Sequence, residues 1–322
     1  MTPAFRITAA GEDVTATLQD RLLTLRVVDE DGLKADRLTL RLDDRDGRLE
    51  FPETDVTLDL WLGADAKALG YVGQYKVDAV SGTIGPATMT IRATAAGMTG
   101  NIRAPRTRAW EDVTLARIAE KIATNAGLIA TVGQSLAKVH FPFLAQTAES
   151  DLHFLTRIAR PLDATAKPAG GRLVVAKRGE GVTAAGDPID PVAMSLAAWS
   201  SAEWELAERE VYKSAEAEWG DIDGGATRSI TLGSGEPSRK LRHVYASEAE
   251  ARRAAKAELE LAGRAVFKLT AQAAGYWPSL FAGGQLDLSG LRPELNGNWQ
   301  IMRVEHALEA GLTTSIEARK GK

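Results

Sequence analysis

Carboxylates crowded against a glycine are the raw material of a calcium loop, and Asp43-Asp44-Arg45-Asp46-Gly47 is such a group. A loop of the EF-hand type takes oxygen ligands at its first, third and fifth positions, glycine at the sixth and glutamate at the twelfth. With Gly47 sixth, Leu42 falls first and offers no oxygen, while Pro52 and Glu53 fall eleventh and twelfth. One late ligand fits and the first fails. The group reads better as a hairpin turn, because Asp and Gly tolerate the backbone angles a tight turn needs. Its first arm, Leu38-Thr-Leu-Arg-Leu42, would then turn three leucines toward a core.

The other chemistry-bearing residues are sparse. The four histidines, His140, His153, His243 and His306, include no pair at the i, i+4 spacing of a helical zinc site. His153 reads as a surface or interface residue of a helix, and His306 as the end of a strand. Gly233-Ser-Gly235 lacks the nucleophile elbow of a hydrolase. Gly224-Gly225 and Gly283-Gly284 match neither a phosphate loop nor a dinucleotide fingerprint and read as turns. Glu203, Glu205, Glu208 and Glu210 could supply the acid pair of a glycosidase. They alternate with Trp204 and Leu206 or sit in a charged stretch, so a solvated face is the better reading. No residue is therefore assigned as catalytic, cofactor-binding or metal-ligating, and no cofactor is expected.

Composition narrows the classes further. The 322 residues are 44% hydrophobic and 25% charged, as in ordinary globular chains, with a net charge of −4. There is no basic block that would point to nucleic acid. The absence of cysteine excludes disulfides, thiolate nucleophiles, cysteine–zinc sites and iron–sulfur clusters. The first residues, Met-Thr-Pro-Ala-Phe-Arg-Ile-Thr, are not a secretory signal, and no window approaches the ~18 unbroken apolar residues of a membrane helix. A soluble chain, built into an assembly in the cytosol, is expected.

The elements that must position these residues are mostly strands. Leu23, Leu25 and Val27, then Leu38, Leu40 and Leu42, then Val56, Leu58, Leu60 and Leu62, then Tyr75, Val77 and Ala79, then Met89 and Ile91 each alternate with polar neighbours. A period of two at short spacing predicts a sandwich or barrel over 1–104. Over 105–192 the pattern turns mixed. Leu115, Ile118 and Ile122 lie at helical spacing before Gly127, and Ser150-Asp151 opens a second helix through Leu152, Leu155 and Ile158 that Pro161 stops. A strand, Arg172–Lys177, follows Gly170-Gly171. Thr183–Pro191, with two prolines and no period, reads as a linker. Over 193–322 strands return, interrupted by a helix that Ser247-Glu-Ala-Glu250 opens as a capping box. Two β-rich units flank a mixed one, which suggests a duplication. Seven tryptophans, Trp61, Trp110, Trp199, Trp204, Trp219, Trp277 and Trp299, are scattered over β-rich text. Trp61 falls on the polar phase of its strand, which fits a partner surface or a strand covered on both sides.

Several of these stretches are similar to one family. Asp36-Arg-Leu-Thr-Leu-Arg-Leu-Asp-Asp-Arg-Asp-Gly47, Thr57-Leu-Asp-Leu-Trp-Leu-Gly63 and Gly73-Gln-Tyr-Lys-Val-Asp78 resemble the first domain of the phage late control protein D family. These are baseplate hub proteins of contractile phage tails, related to the hub part of type VI secretion spike proteins. The resemblance continues, in order, through Thr107-Arg-Ala-Trp110, Gln146-Thr-Ala-Glu-Ser-Asp-Leu-His-Phe-Leu155, Gly171-Arg-Leu, Gly297-Asn-Trp-Gln-Ile-Met-Arg-Val-Glu-His306 and Gly311-Leu-Thr-Thr. It implies an α+β, mainly β fold: two barrel-like β-domains flanking a small mixed α/β domain, with a helical insertion around 240–265 in the second barrel. It implies a homotrimeric ring of pseudo-sixfold symmetry in the virion tail baseplate, assembled in the bacterial host cytoplasm. The ring joins a sixfold tail tube to a threefold spike. The implied partners are a second and third copy of the chain, the tail tube or a tube-initiator protein, a tape-measure protein and a spike. The spike is expected as a separate chain, because about twenty residues follow Gly297-Asn-Trp. Nucleic acid and membrane are not expected partners. The resemblance brings no catalytic residue. The rival readings are a tail-associated cell-wall hydrolase and, on the family's name, a late-gene regulator, which an acidic chain without a helix-turn-helix motif disfavours.

Overall fold

The computed structural model describes residues 4–31, 36–96, 100–169, 171–177, 189–206, 212–221, 224–263 and 267–320. Most of the predicted linker at Thr183–Pro191, together with Glu208, Glu210 and Gly170, lies outside the described residues.

Alternating text becomes strand in the first third: β1 (Ala4–Ala9), β2 (Glu12–Asp13), β3 (Leu22–Glu30), β4 (Arg37–Asp43), β5 (Thr57–Gly63), β6 (Leu69–Ile84) and β7 (Ala87–Ala95), with the short helix α1 (Thr15–Gln19) after β2. Leu38, Leu40, Leu42, Leu58, Leu60, Leu62, Tyr75, Val77 and Met89 are buried together with Ile7, Leu25 and Val27 in one core. Leu23, predicted with that inward set, is instead exposed. The β3–β4 register slips between Leu22 and Thr24, and such a bulge throws one side chain to the opposite face. The turn after β4 does not make the expected hairpin either. β4 pairs with β3 and β7, so both its edges are taken, and β5 pairs with β1 and β6. Residues 44–56 are therefore a crossing connection.

The mixed segment holds β8 (Pro105–Thr114), α2 (Leu115–Asn125), β9 (Ile129–Val132), α3 (Gln134–Ala137), β10 (His140–Ser150), α4 (Asp151–Ala159), β11 (Ala164–Ala169) and β12 (Arg172–Lys177). Both long helices start where the sequence predicts. Thr114 Oγ accepts from Arg117 N and Ser150 Oγ from His153 N, each satisfying a first-turn amide. Gly127 follows α2 with φ +70°, a conformation glycine adopts freely. The apolar faces of α2 and α4 meet Trp110, Phe141, Leu173 and Val175 in a second core.

The last third adds β13 (Val192–Ser195), β14 (Ser201–Leu206), β15 (Ser214–Asp221), β16 (Ala226–Gly233), β17 (Ser238–Tyr245), α5 (Glu248–Gly263), β18 (Phe267–Ala274), β19 (Gln285–Ser289), β20 (Gly297–Leu308) and β21 (Leu312–Lys320). A third core gathers Met194, Leu269, Leu286, Leu288, Trp299, Ile301, Val304 and Ile316. The insertion predicted as helical around 240–265 differs: 238–245 is strand β17, and the helix begins at Glu248. Ser247 Oγ accepts from Glu250 N at 3.3 Å, while the Glu250 carboxylate reaches Ala246 N rather than the cap's own amide. The insertion is a three-stranded sheet, β16-β15-β17, packed on α5 through Ala215, Ala217, Ala251 and Ala255. Four alanines permit close approach of helix and sheet, and the basic text of β17 hides its period.

Strands of both ends join one sheet of 13, ordered β14-β18-β21-β20-β3-β4-β7-β6-β5-β1-β2, with β19 on β20 and β13 on β19. β20 is the splice. Its first residues, Gly297–Gln300, pair with β19, and its later ones, Arg303–Leu308, pair with β3. Trp299 and Ile301 enter the third core while Leu308 enters the first.

Candidate functional site: a three-way ionic junction and open strand edges

Where β20 meets β3, all three segments converge on one lysine. Lys167 of β11 is 12% exposed and places its Nζ 2.7 Å from Asp36 Oδ1 and in contact with Asp29 Oδ1. It also donates to the Glu30 carbonyl at 2.7 Å. Asp29 Oδ2 accepts from Ala282 N of the last segment at 2.8 Å. Asp31 N donates to Met302 O at 2.9 Å, and Asp31 Oδ2 accepts from Gln300 Nε2. A single carboxylate, Asp29, thus touches a cation of the middle segment and an amide of the last.

The charges do not balance one to one. One ammonium faces two carboxylates, so the cluster is neutral when one acid keeps its proton. Burial, and then the neighbouring Asp29 charge, push Asp36 up to about 7 against the pull of Lys167. Burial alone would lower Lys167, but Asp29 and Asp36 together hold it above its ordinary value. Tyr75, buried beside them, is raised well above its usual range by desolvation and by the Asp36 and Asp29 charges.

Beside this cluster lies His306, 6% exposed. It is not at a strand end as the sequence suggested, since β20 runs two residues further. Its Nδ1 sits 2.9 Å from Thr314 Oγ1, which itself donates to Gly275 O at 2.8 Å. The threonine proton is committed to that carbonyl, so the imidazole carries its hydrogen on Nδ1 and donates. The Tyr276 ring meets it edge-on at 4.8 Å. Burial pulls His306 down to about 4, leaving it a neutral structural group near pH 7.

Two stretches quoted in the sequence, Thr107–Trp110 and Gln146–Leu155, meet in a second buried network. Asp151, 1% exposed, binds Arg108 Nη2 at 2.5 Å and lies 3.4 Å from Arg106 Nε. The second contact lacks hydrogen-bond geometry and acts only as charge attraction. Gln146 bridges: its Oε1 accepts from Arg108 Nε at 2.8 Å and its Nε2 donates to Asp151 at 2.8 Å. The Arg108 guanidinium covers Trp110, which stacks on Phe154 at 5.8 Å. The network fixes α4 against the β8–β10 ribbon.

The residues the sequence singled out for chemistry are not gathered. Asp46 accepts from Nη1 and Nη2 of Arg21 at 2.7 Å each, Asp43 accepts from Arg45 N and Asp44 from Leu49 N. The Arg21 bond holds the Asp46 carboxyl well below the usual carboxylate range. Gly47, at φ +62°, closes the turn onto Asp44 O. His140 pairs with Asp112 at 2.7 Å on the surface. His153 and His243 both line a groove between α4 and β17. Glu203 and Glu205 lie on β14, exposed, with Glu205 3.2 Å from Lys268. Gly225, Gly233, Gly235 and Gly283 all have positive φ and serve turns. Trp299 and Trp110 are core, whereas Trp61 is half-buried between Arg6 and Tyr71. Among the described residues, no group of three or more His, Asp or Glu side chains is placed to hold a metal ion. No helix among them is long and apolar enough to cross a membrane.

The sequence reading missed the ionic junction. Lys167 sits in Ala-Lys-Pro-Ala, and only the topology brings it to Asp29 and Asp36. The surface that remains is one of strand edges. Among the described residues β14 pairs on one side only, and every residue of it is exposed, including Trp204 at 46% and Leu206 at 53%. Ile84, at the tip of the β6–β7 hairpin, is fully exposed. Such edges and tips mark contact surfaces.

Comparison with known proteins gives a consistent picture. The family described as phage tail baseplate hub (GPD) matches residues 35–312. A probable baseplate hub protein of Escherichia phage 186 is 29% identical, over 98% of this chain and 92% of that protein. The 43 kDa tail protein of prophage MuSo2 from Shewanella oneidensis superposes with a TM-score of 0.74 at 14% identity, over 98% of this chain and 97% of that one. A type VI secretion system component of E. coli, described as structurally similar to bacteriophage T4 tail proteins, superposes at 0.55 with 12% identity, over 94% of this chain and 74% of that one.

Proposed function

The chain belongs to the phage tail baseplate hub (GPD) family, and from that premise we propose that three copies close into a ring of pseudo-sixfold symmetry joining a sixfold tail tube to a threefold spike. The observation that carries this reading is the spliced sheet. One chain presents two β-cores held in a fixed relation by β20, so three chains offer six comparable units around one axis. We divide the chain accordingly into a first β-unit (1–104), a mixed unit (105–192) and a second β-unit (193–322). The 13-stranded sheet ends at β14 on one side and at β1 and β2 on the other. Heterologous contact of one copy's β14 end with the first β-unit of the next would close the ring and cover Trp204 and Leu206. The role is structural and geometric, without catalysis. A separate spike protein, the tail tube or its initiator and the tape-measure protein are the partners, and assembly takes place in the host cytoplasm before the hub sits in the virion baseplate.

Mass measurement of the purified protein mixed with its cognate spike tests this. Three copies of the 34.4 kDa protomer per spike trimer are expected. A complex holding one, two or six copies, or no complex at concentrations where tails assemble, overturns the reading.

A further inference from the structure

The groove that His153 and His243 line has a volume of about 970 Å³ and runs between the mixed unit and the insertion of the second β-unit. β10 and β17 form two of its walls, and among the described residues each pairs on one side only, β10 with β8 and β17 with β15. α4 and α5 close the rest. Two exposed apolar side chains stand in it, Phe143 at 52% and Val244 at 56%. Around them the charge is mostly positive. Arg157, Arg160 and Arg239 are matched by Glu149 and Glu258. Lys240 is held by Glu216 and Glu218. Glu250 also lines the groove, its carboxylate accepting from Ala246 N, while Arg242 and Arg253 make no ion pair among the described residues, so the lining carries six Arg or Lys against three Glu although the chain as a whole is acidic.

An unpaired strand edge offers backbone donors and acceptors in strand register, apolar side chains beside it select alternate residues of an added strand, and unmatched guanidinium groups select carboxylates. Nucleic acid would use the charge but neither the backbone edge nor the aliphatic Val244. We propose that this groove docks an extended, acidic segment of a partner protein, which adds as a strand along β17 with its carboxylates on Arg242 and Arg253 and its apolar residues on Phe143 and Val244. This goes beyond ring formation, since it assigns a partner surface outside the 13-stranded sheet.

The probe is a fluorescein-labelled octapeptide of alternating Glu and Val, followed by fluorescence anisotropy with the full chain in low salt. Saturable binding is expected, weakening on the order of tenfold in Arg242→Glu with Arg253→Glu. Because that pair could disturb folding, the exposed single variant Arg242→Gln is measured beside it, with circular dichroism of both. Binding should also slow hydrogen exchange at Ser238–Tyr245, and an N-methylated version of the peptide should bind on the order of tenfold more weakly. Equal binding of a Lys/Val peptide, equal binding of the N-methylated peptide, or displacement by a thymidine oligonucleotide at lower concentration each overturns the proposal. So does a groove already closed by a second copy, seen as slow exchange of Ser238–Tyr245 in the free protein and no peptide binding.

Discussion

Replacing Lys167 by methionine keeps an unbranched side chain, one atom shorter, and removes the charge together with the hydrogen bonds to Asp29, Asp36 and the Glu30 carbonyl. At 2.7 Å and an effective dielectric constant of ~20, one Lys167–carboxylate contact is worth roughly 6 kcal/mol of gross attraction. Burial of the ammonium and the carboxylates offsets most of this, so the intact cluster adds little net stability. Removing one partner is different. Asp29 and Asp36 then face each other with no cation, and the loss expected is about 3–5 kcal/mol at pH 7. If the chain unfolds as one unit, that lowers Tm by roughly 4–7 °C. The loss also depends on pH. Asp36 is already raised, and losing the pull of Lys167 raises it further, so what it contributes is present below about pH 4 and disappears as pH rises through its folded pKa. The deficit of Lys167→Met should therefore shrink on going from pH 7 to pH 5, and adding Asp29→Asn and Asp36→Asn should recover most of it. Urea unfolding followed by tryptophan fluorescence measures all of this. A deficit under about 1 kcal/mol, a deficit independent of pH, or no recovery in the triple variant would refute the electrostatic reading.

His306 and Asp36 oppose each other across acid pH. The His306 folded value of about 4 lies below the ordinary 6.5, so its contribution is complete above pH 6.5 and is lost as pH falls toward 4, about 3 kcal/mol in total. Asp36, raised to about 7, contributes in the other direction, losing stability as pH rises from 4 to 7. His306→Gln should be more acid-resistant than the parent, with the difference in unfolding free energy opening between pH 6.5 and 4; parallel pH profiles would refute this. Asp151→Asn removes the one buried anion facing the partly exposed Arg108 and Arg106 and should cost about 1–3 kcal/mol. Its unfolding transition should move while the proposed ring mass, measured at low temperature, does not; an unchanged transition would contradict the network.

Local order was largely legible in the sequence. Leu38, Leu40 and Leu42, or Leu58, Leu60 and Leu62, announce both strand and core face, because a half-buried sheet imposes period two. Gly127 ends α2 and Ser150 starts α4, through unpaired end groups that any helix must satisfy, whereas the Thr114 cap of α2 emerges only in the structure. What failed was long-range. The Asp43–Gly47 turn looks like a hairpin locally, but β4 finds its second partner in β7 about fifty residues later. β17 reads Arg-Lys-Leu-Arg-His-Val with no clean alternation, because it is an exposed edge strand with only Leu241 and Tyr245 packed against α5. Lys167 lies more than a hundred positions from Asp29 and Asp36, and no spacing rule joins them.

That gap in legibility follows from the kind of function involved. A catalytic site is announced by residue types, because chemistry needs particular groups. A hub needs only that two β-cores keep one angle to each other, and many residue types can set an angle. Here β20 sets it through backbone pairing, but a shared strand alone can twist or slip in register. Lys167 adds a tie from a third direction, fixing the mixed unit to the β3 end of the first core rather than to the second core directly. Its ammonium has three hydrogens, and it spends them on Asp29, Asp36 and the Glu30 carbonyl, while Asp29 simultaneously holds Ala282. An apolar junction of equal volume would be about as stable, but a cation with three acceptors in fixed directions defines one arrangement of its neighbours by geometry as well as by contact. The low net stability of the cluster and its strict geometry are thus one property: the junction specifies the relation between the two cores more than it strengthens either, and errors in that relation would accumulate around a proposed ring of six units.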